Sequence, residues 1–308
     1  MSAPHIPTTL GALLIGGFVA TMFSGVVTLQ TLWYSRAYKS DPKPLKSLVL
    51  SVWLLDTIHT ALIWAAVWDC LIGDYGSFSS VDHIPWPIPL TVILTAILTF
   101  LIHCFLAHRI FMLSGRNYFM ALPVLILAVV RVVSASVTTQ QMEQYGSYTE
   151  FKAHAFWLFT LGLSVSSAVD ILITALLSYL LQSTRPTANR LNAMVNKLTV
   201  AAFETGALTC VGTIASMICW VSMPSNLIFL GLHFVISKLY ATSLLVTLNI
   251  RKNILETDLE SESTRPYTSP AGQDNPVIFN LGVIQARNSM LQSSPVQVHM
   301  VKSTEYDI

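Results

Sequence analysis

The chain has 308 residues, of which 53% are hydrophobic and only 11% charged, and its formal net charge is +1. A soluble domain carries about 25% charged residues, so this composition excludes an ordinary soluble globule, and the near-zero total excludes the broad basic surface of a nucleic-acid binder. A mean hydropathy of +0.60 points instead to an all-α, polytopic membrane protein.

A helix needs about 20 apolar residues to cross the hydrocarbon core. Seven stretches qualify: about 10–34, 46–69, 88–110, 118–139, 154–181, 199–222 and 227–248. They are too long and lack the alternation of barrel strands, and backbone groups in lipid must be bonded internally, so the stretches are helices. The first is too long for the apolar part of a signal peptide and follows no basic segment, so it is expected to stay in the membrane. Asp41-Pro42-Lys43-Pro44 separates the first and second spans, Pro85, Pro87 and Pro89 precede the third, and Ser114-Gly115-Arg116-Asn117 follows it. Gly146-Ser147 marks the next loop, and Met223-Pro224-Ser225-Asn226 links the last two spans.

Basic residues set the orientation. Arg36, Lys39, Lys43 and Lys46 lie in the first loop, Arg109 and Arg116 in the third, Arg185, Arg190 and Lys197 in the fifth, and Arg251 and Lys252 after the last span. The N-terminus and the 70–87 and 223–226 loops have no Lys or Arg, and the 140–153 loop has only Lys152. The positive-inside rule then puts the N-terminus outside and the C-terminus in the cytoplasm, which requires an odd number of spans. The expected organisation is a bundle over residues 1–252 and a disordered cytoplasmic tail over 253–308, rich in Ser, Thr, Pro, Gln and Asn. The tail could accept phosphate and engage cytoplasmic proteins. Which membrane holds the bundle is not encoded in this pattern.

Ionisable groups inside a span are expensive, about 2.5–3.5 kcal/mol for Asp, Lys or Arg at a helix centre, and they turn inward. Counting 1.5 Å per residue along each helix puts Asp56, Asp170 and Lys238 near the mid-plane, with His59 and Arg131 slightly further outward. Glu204 and His103 fall nearer the cytoplasm and His233 nearer the outside, as peripheral candidates. Asp56 and His59, three apart, share a helix face. If the helices close into a ring in chain order, Lys238 reaches Asp56, and Arg131 and Asp170 form a second pair. Such pairs either fasten helices together or line a pocket or proton path. No catalytic residue, cofactor or metal-ligand set is identified. Cys70 and Cys219 fall near one face, where a disulfide is conceivable, but spacing does not establish it.

The run DTIHTALIW after WLL, the segments AVDILITALLSYLL and NKLTV, and above all NLIFLGLHFVISKLYATSLLVTLNIRK resemble the seven-helix proteins of mushroom-forming fungi that carry the domain of unknown function 6534. That domain would cover about 167–252, and the wider resemblance begins at Thr9. It implies a multi-pass membrane protein and supplies no substrate, cofactor or catalytic residue.

Several functions fit these residues. Topology and a Ser/Thr-rich tail suit a seven-helix receptor or sensor acting on a small ligand, although fold is weak evidence for function. The third span ends Ala107-His108-Arg109-Ile110 and the seventh carries no Asn-Pro-x-x-Tyr, so G-protein coupling has no motif behind it. Mid-plane Asp, Lys and His suit a proton-linked or small-solute carrier, against which stands the lack of a visible repeat. Lys238 occupies the place of a retinal-binding lysine, but the third span has no carboxylate to serve as counter-ion. An intramembrane zinc hydrolase would need His59, His103 and His233 to converge, and their depths spread too widely for bonds of about 2 Å.

Overall fold

The computed structural model describes residues 8–73, 82–183, 189–223 and 226–263. Among them are seven α-helices: α1 (Leu10–Ala37), α2 (Lys43–Trp68), α3 (Pro87–Leu113), α4 (Tyr118–Tyr145), α5 (Tyr148–Ser183), α6 (Asn189–Ser222) and α7 (Ile228–Ser263). A five-residue π-helical segment, Asp69–Gly73, prolongs α2. No strand occurs among these residues beyond an isolated bridge between His83 and Ser147. Arg185, the Pro224-Ser225 link and the expected tail after 263 lie outside the described residues.

Six of the helices are long and apolar enough to cross a membrane. The sixth expected span falls on α6, which has 34 residues; among the described residues its apolar portion runs over Gly206–Ser222. Three boundaries also move. The fifth helix begins at Tyr148 rather than 154 because Asp82, from a distant loop, caps it: Oδ1 accepts the Thr149 amide at 2.9 Å and its hydroxyl at 2.8 Å. Gly146, with φ of 61°, closes α4 immediately before, donating its amide to Met142. The sixth helix begins at Asn189 rather than 199, and the seventh continues to Ser263, past the position where the composition changes. Pro44 at the start of α2 and Pro87 at the start of α3 stand where helices tolerate proline, whereas Pro123 lies inside α4.

The helices form a ring in chain order, each packed on the next, and α7 returns to close it against α1. α7 also touches α2 and α3, and α3 touches α5, which leaves α7 and α3 as the most enclosed elements. The outside is apolar. On α4, Leu122, Ile126, Val129, Val133 and Val137 are exposed, while Arg131, Ser134 and Thr138 are buried. A helix that hides its polar face and shows its apolar one is arranged for lipid rather than water. Ile15, Phe18, Met22, Leu29 and Trp33 make the same outward stripe on α1.

The tightest crossing is α1 on α7. A Cβ added to Gly16 would stand 2.5 Å from the Gly231 Cα, and one added to Gly231 would stand 2.5 Å from the Ala12 carbonyl oxygen. Two backbones approach this closely only where neither carries a side chain, as at small-residue contacts between membrane helices. The crossing sets α7 against α1 and α2, and so fixes the azimuth of every polar group on α7.

Candidate functional site

α7 presents polar residues on two faces. His233, Ser237 and Tyr240, spaced four and three apart, share one side of the helix. At about 100° per residue Lys238 points well away from that side, toward α1 and α2. The expected single polar centre is therefore two centres hung on one helix.

The first is closed. Lys238 and Asp56 are both fully buried, at 0% exposure, and the Lys238 Nζ lies 2.9 Å from Asp56 Oδ1. Nζ also donates to the Asp56 carbonyl at 2.8 Å and to Thr60 Oγ1 at 2.7 Å. An ammonium has three protons, and three oxygens surround this one. Asp56 Oδ2 accepts from Ser24 Oγ of α1 at 2.5 Å, so the cluster joins α1, α2 and α7. Trp53, beside it on α2, donates its indole N–H to Thr28 at 3.3 Å. The pair expected from matching depth is present, and it lines neither of the two cavities described below.

His59 belongs to the same layer and ties α2 to α3 and α7. Its Nε2 is 3.1 Å from Thr95 Oγ1 and its Nδ1 is 3.2 Å from Ser237 Oγ. Thr95 donates to the Thr91 carbonyl at 2.8 Å. Ser237 likewise donates to the Phe234 carbonyl at 3.4 Å, so each ring nitrogen meets a hydroxyl that also bonds the backbone of its own helix.

The second centre is open. Arg131 and Asp170 do not form the expected ion pair, because Tyr240 stands between them. Its hydroxyl donates to Asp170 Oδ2 at 2.6 Å and lies 3.1 Å from Ser166 Oγ, which then donates to it. Arg131 instead places its guanidinium carbon 5.2 Å from the centre of the Tyr240 ring. His103 is drawn to the other Asp170 oxygen, Nε2 to Oδ1 3.5 Å, and packs edge-on to Tyr240.

Two small cavities flank this arrangement. One, about 40 Å³, is lined by residues of α3 to α7 that include Arg131, His233, Ser134, Thr138 and Thr95. The other, about 30 Å³, is lined in part by His103, Asp170, Thr174, Thr209 and Tyr240. Ser166 lines the first and Tyr240 the second, and a hydrogen bond joins the two residues. In the first cavity Arg131 is 8% exposed with Nη1 unpartnered, and His233 is 7% exposed with neither ring nitrogen partnered. No Asp or Glu lines it.

Glu204 is not part of either centre. Its side chain is exposed on α6. The three intramembrane histidines do not converge, each having its own surroundings, and among the described residues no three His, Cys, Asp or Glu side chains are placed to hold a metal ion. Cys70 and Cys219 are not joined by a disulfide. Tyr240 and Ser166 escaped a reading that weighed charges alone. The available signal was the spacing of Tyr240 seven residues after His233, on the face of α7 that also carries Ser237.

Long apolar helices around a buried polar interior define a helical membrane protein. Residues 166–253 match a family of unknown function (DUF6534), a segment running from the middle of α5 through α6 into α7. It contains Asp170, His233, Lys238 and Tyr240 but not their partners Asp56, His103 and Arg131. No curated protein and no solved structure matches the chain.

Proposed function

We propose that the chain is a seven-helix membrane protein of receptor or sensor type, with its N-terminus outside and its C-terminus in the cytoplasm, and that the cavity beside Arg131 and His233 takes a small ligand. One observation carries this reading: a buried guanidinium with no hydrogen-bond partner faces a cavity walled by hydroxyl groups. Burying a charge without compensation costs several kcal/mol, whereas the Asp56–Lys238 cluster, fully compensated, behaves as a fastening between helices. A ligand that bonds the guanidinium would be felt by α3 to α7 at once, which is the coupling a sensor needs. The wider resemblance to seven-helix proteins of mushroom-forming fungi agrees with this topology, and the Ser/Thr-rich segment after 263 would lie on the cytoplasmic side for contact with other proteins.

The topology has a direct test. Single cysteines introduced at Ser2 and Ser303, in a background with the four native cysteines replaced, are labelled in sealed cells with a membrane-impermeant maleimide. Seven crossings label Ser2→Cys only; labelling of both ends, or of neither, means an even number and removes this arrangement.

A carrier is the second reading, favoured by the Ser166–Tyr240–Asp170 hydrogen-bond chain, which links a residue lining one cavity to residues lining the other. Reconstitution in liposomes separates the two. A carrier gives proton-coupled solute flux that Tyr240→Phe and Asp170→Asn abolish; a receptor gives no flux and gains thermal stability with its ligand.

A further inference from the structure

The chemistry of the first cavity specifies more than a ligand; it specifies a charge and a shape. We propose that this cavity is a carboxylate site, in which the Arg131 guanidinium and the His233 ring bind the head of a small monocarboxylate. The inference rests on the reading of the cavity as a ligand site and deepens it.

Charge is the first reason. The cavity holds one permanent cation, Arg131, and no acidic side chain among its lining residues. Asp170, which Tyr240 separates from Arg131, is engaged by the Tyr240 hydroxyl and by His103, and it lines the other cavity. Arg131 sits at the middle of α4, Tyr118–Tyr145, too deep to reach water at either end of the helix. An anion supplies what the fold withholds.

Donor geometry is the second. The guanidinium is a planar fork suited to two oxygens of one group. No hydrogen bond from the described residues reaches it, and Nη1 is fully buried. His233, from the facing helix α7, adds a ring nitrogen that can donate, and neither of its nitrogens is otherwise used. Ser134 and Thr138 already donate to backbone carbonyls, at 3.4 and 2.8 Å, so their hydroxyls are not the principal anchors.

Size is the third. About 40 Å³ exceeds the 10–15 Å³ that one water occupies on the same measure. It accommodates a three-atom carboxylate head and little more. Phe159, Leu163, Val92 and Ile236 make the remaining wall apolar, suited to a short alkyl group or to the start of a longer chain passing between helices. The carboxylate can therefore belong to a free short acid or to a fatty acid in the bilayer, and the chemistry of its recognition is the same.

The test uses the full chain, purified in detergent and in lipid nanodiscs, with thermal unfolding as the readout. Sodium acetate and propionate at constant ionic strength form one arm, and nanodiscs with and without oleate form the other. Acetamide, methylammonium and chloride are the controls. A saturable rise in the unfolding midpoint with acetate or propionate assigns a free short acid; a rise with oleate alone assigns a lipid head. In either case Arg131→Met abolishes the response, and Arg131→Lys, which keeps the charge but loses the fork, weakens it about tenfold. Arg131→Met removes an uncompensated buried charge, so without a probe its midpoint stays at or above that of the unsubstituted protein. Should that variant fail to fold, Gly162→Ala serves instead. It keeps Arg131 and sets a Cβ 3.1 Å from Ser134 Oγ in the cavity wall, which weakens the response to the same acid.

A response that survives both Arg131→Lys and Gly162→Ala at full strength overturns the carboxylate site. So does an equal rise with chloride, which means a simple halide site. A saturable rise with acetamide or methylammonium but with no carboxylate keeps the ligand-site reading and discards the anion. Stability unmoved by every probe discards both, leaving a hydrated cavity.

Discussion

Replacing Lys238 with Met is expected to destabilise the protein by about 3–5 kcal/mol, the usual cost of removing one member of a buried ion pair. The loss of attraction is the smaller part. Asp56 is fully buried and keeps only the Ser24 hydroxyl once Nζ is gone, and the Thr60 oxygen and Asp56 carbonyl lose a donor together. Asp56→Leu acts the same way from the other side, stranding an ammonium among three helices. The double variant Asp56→Leu with Lys238→Met removes both charges, and most of the stability returns, because compact apolar side chains replace a buried pair at little cost. Chemical unfolding in mild detergent reads all three. A double variant no more stable than its single parents would mean that the pair does more than fasten helices, and that the open cavity is not the sole functional centre.

The second large effect concerns no charge at all. Gly231→Val is expected to leave little folded protein. Its Cβ would meet the Ala12 carbonyl oxygen at 2.5 Å, and the obstacle is backbone, which cannot rotate aside as a side chain does. Overpacking a core with flexible neighbours costs about 1–3 kcal/mol; here α1 and α7 must separate along their whole contact. Gly16→Val acts from the opposite helix. Gly206→Ala, where the added atom meets the Thr174 side chain, is the milder comparison, because that hydroxyl can turn away. The measurement is the monodisperse fraction recovered in size-exclusion chromatography. Normal recovery of Gly231→Val would show that the two helices pack less closely than described, and the azimuth of Lys238 and Tyr240 would need revision with it.

These two effects divide what can be read along a chain from what cannot. The Asp56–Lys238 contact was legible because it depends on depth, and depth follows from counting residues from a helix end. The Arg131–Asp170 contact fails on the same count because depth says nothing of azimuth. The two groups lie on neighbouring helices, but the ring of Tyr240 from a third helix occupies the space between them. Glu204 fails for a related reason: its level was estimated, but not whether it faces in or out. The close crossing at Gly231 had a trace in the sequence, small residues at every fourth position in α1, Ala12, Gly16 and Ala20. That stripe becomes meaningful only when the facing glycine on α7 is known, and residues 12 and 231 are far apart in the chain.

By itself the sequence determined that the described elements are helices, that their long apolar runs suit a membrane, and which acids and bases lie at comparable depth. Each of these depends on hydrocarbon length, backbone hydrogen bonding and the cost of charge, which act on one segment at a time. Only the tertiary structure decided which of those charges are compensated. Compensation requires a partner at hydrogen-bond distance, and the partner is set by how seven helices rotate about their own axes when they close. That rotation, held by two glycines where α1 meets α7, turns Lys238 onto Asp56 and gives Arg131 an aromatic face but no acid.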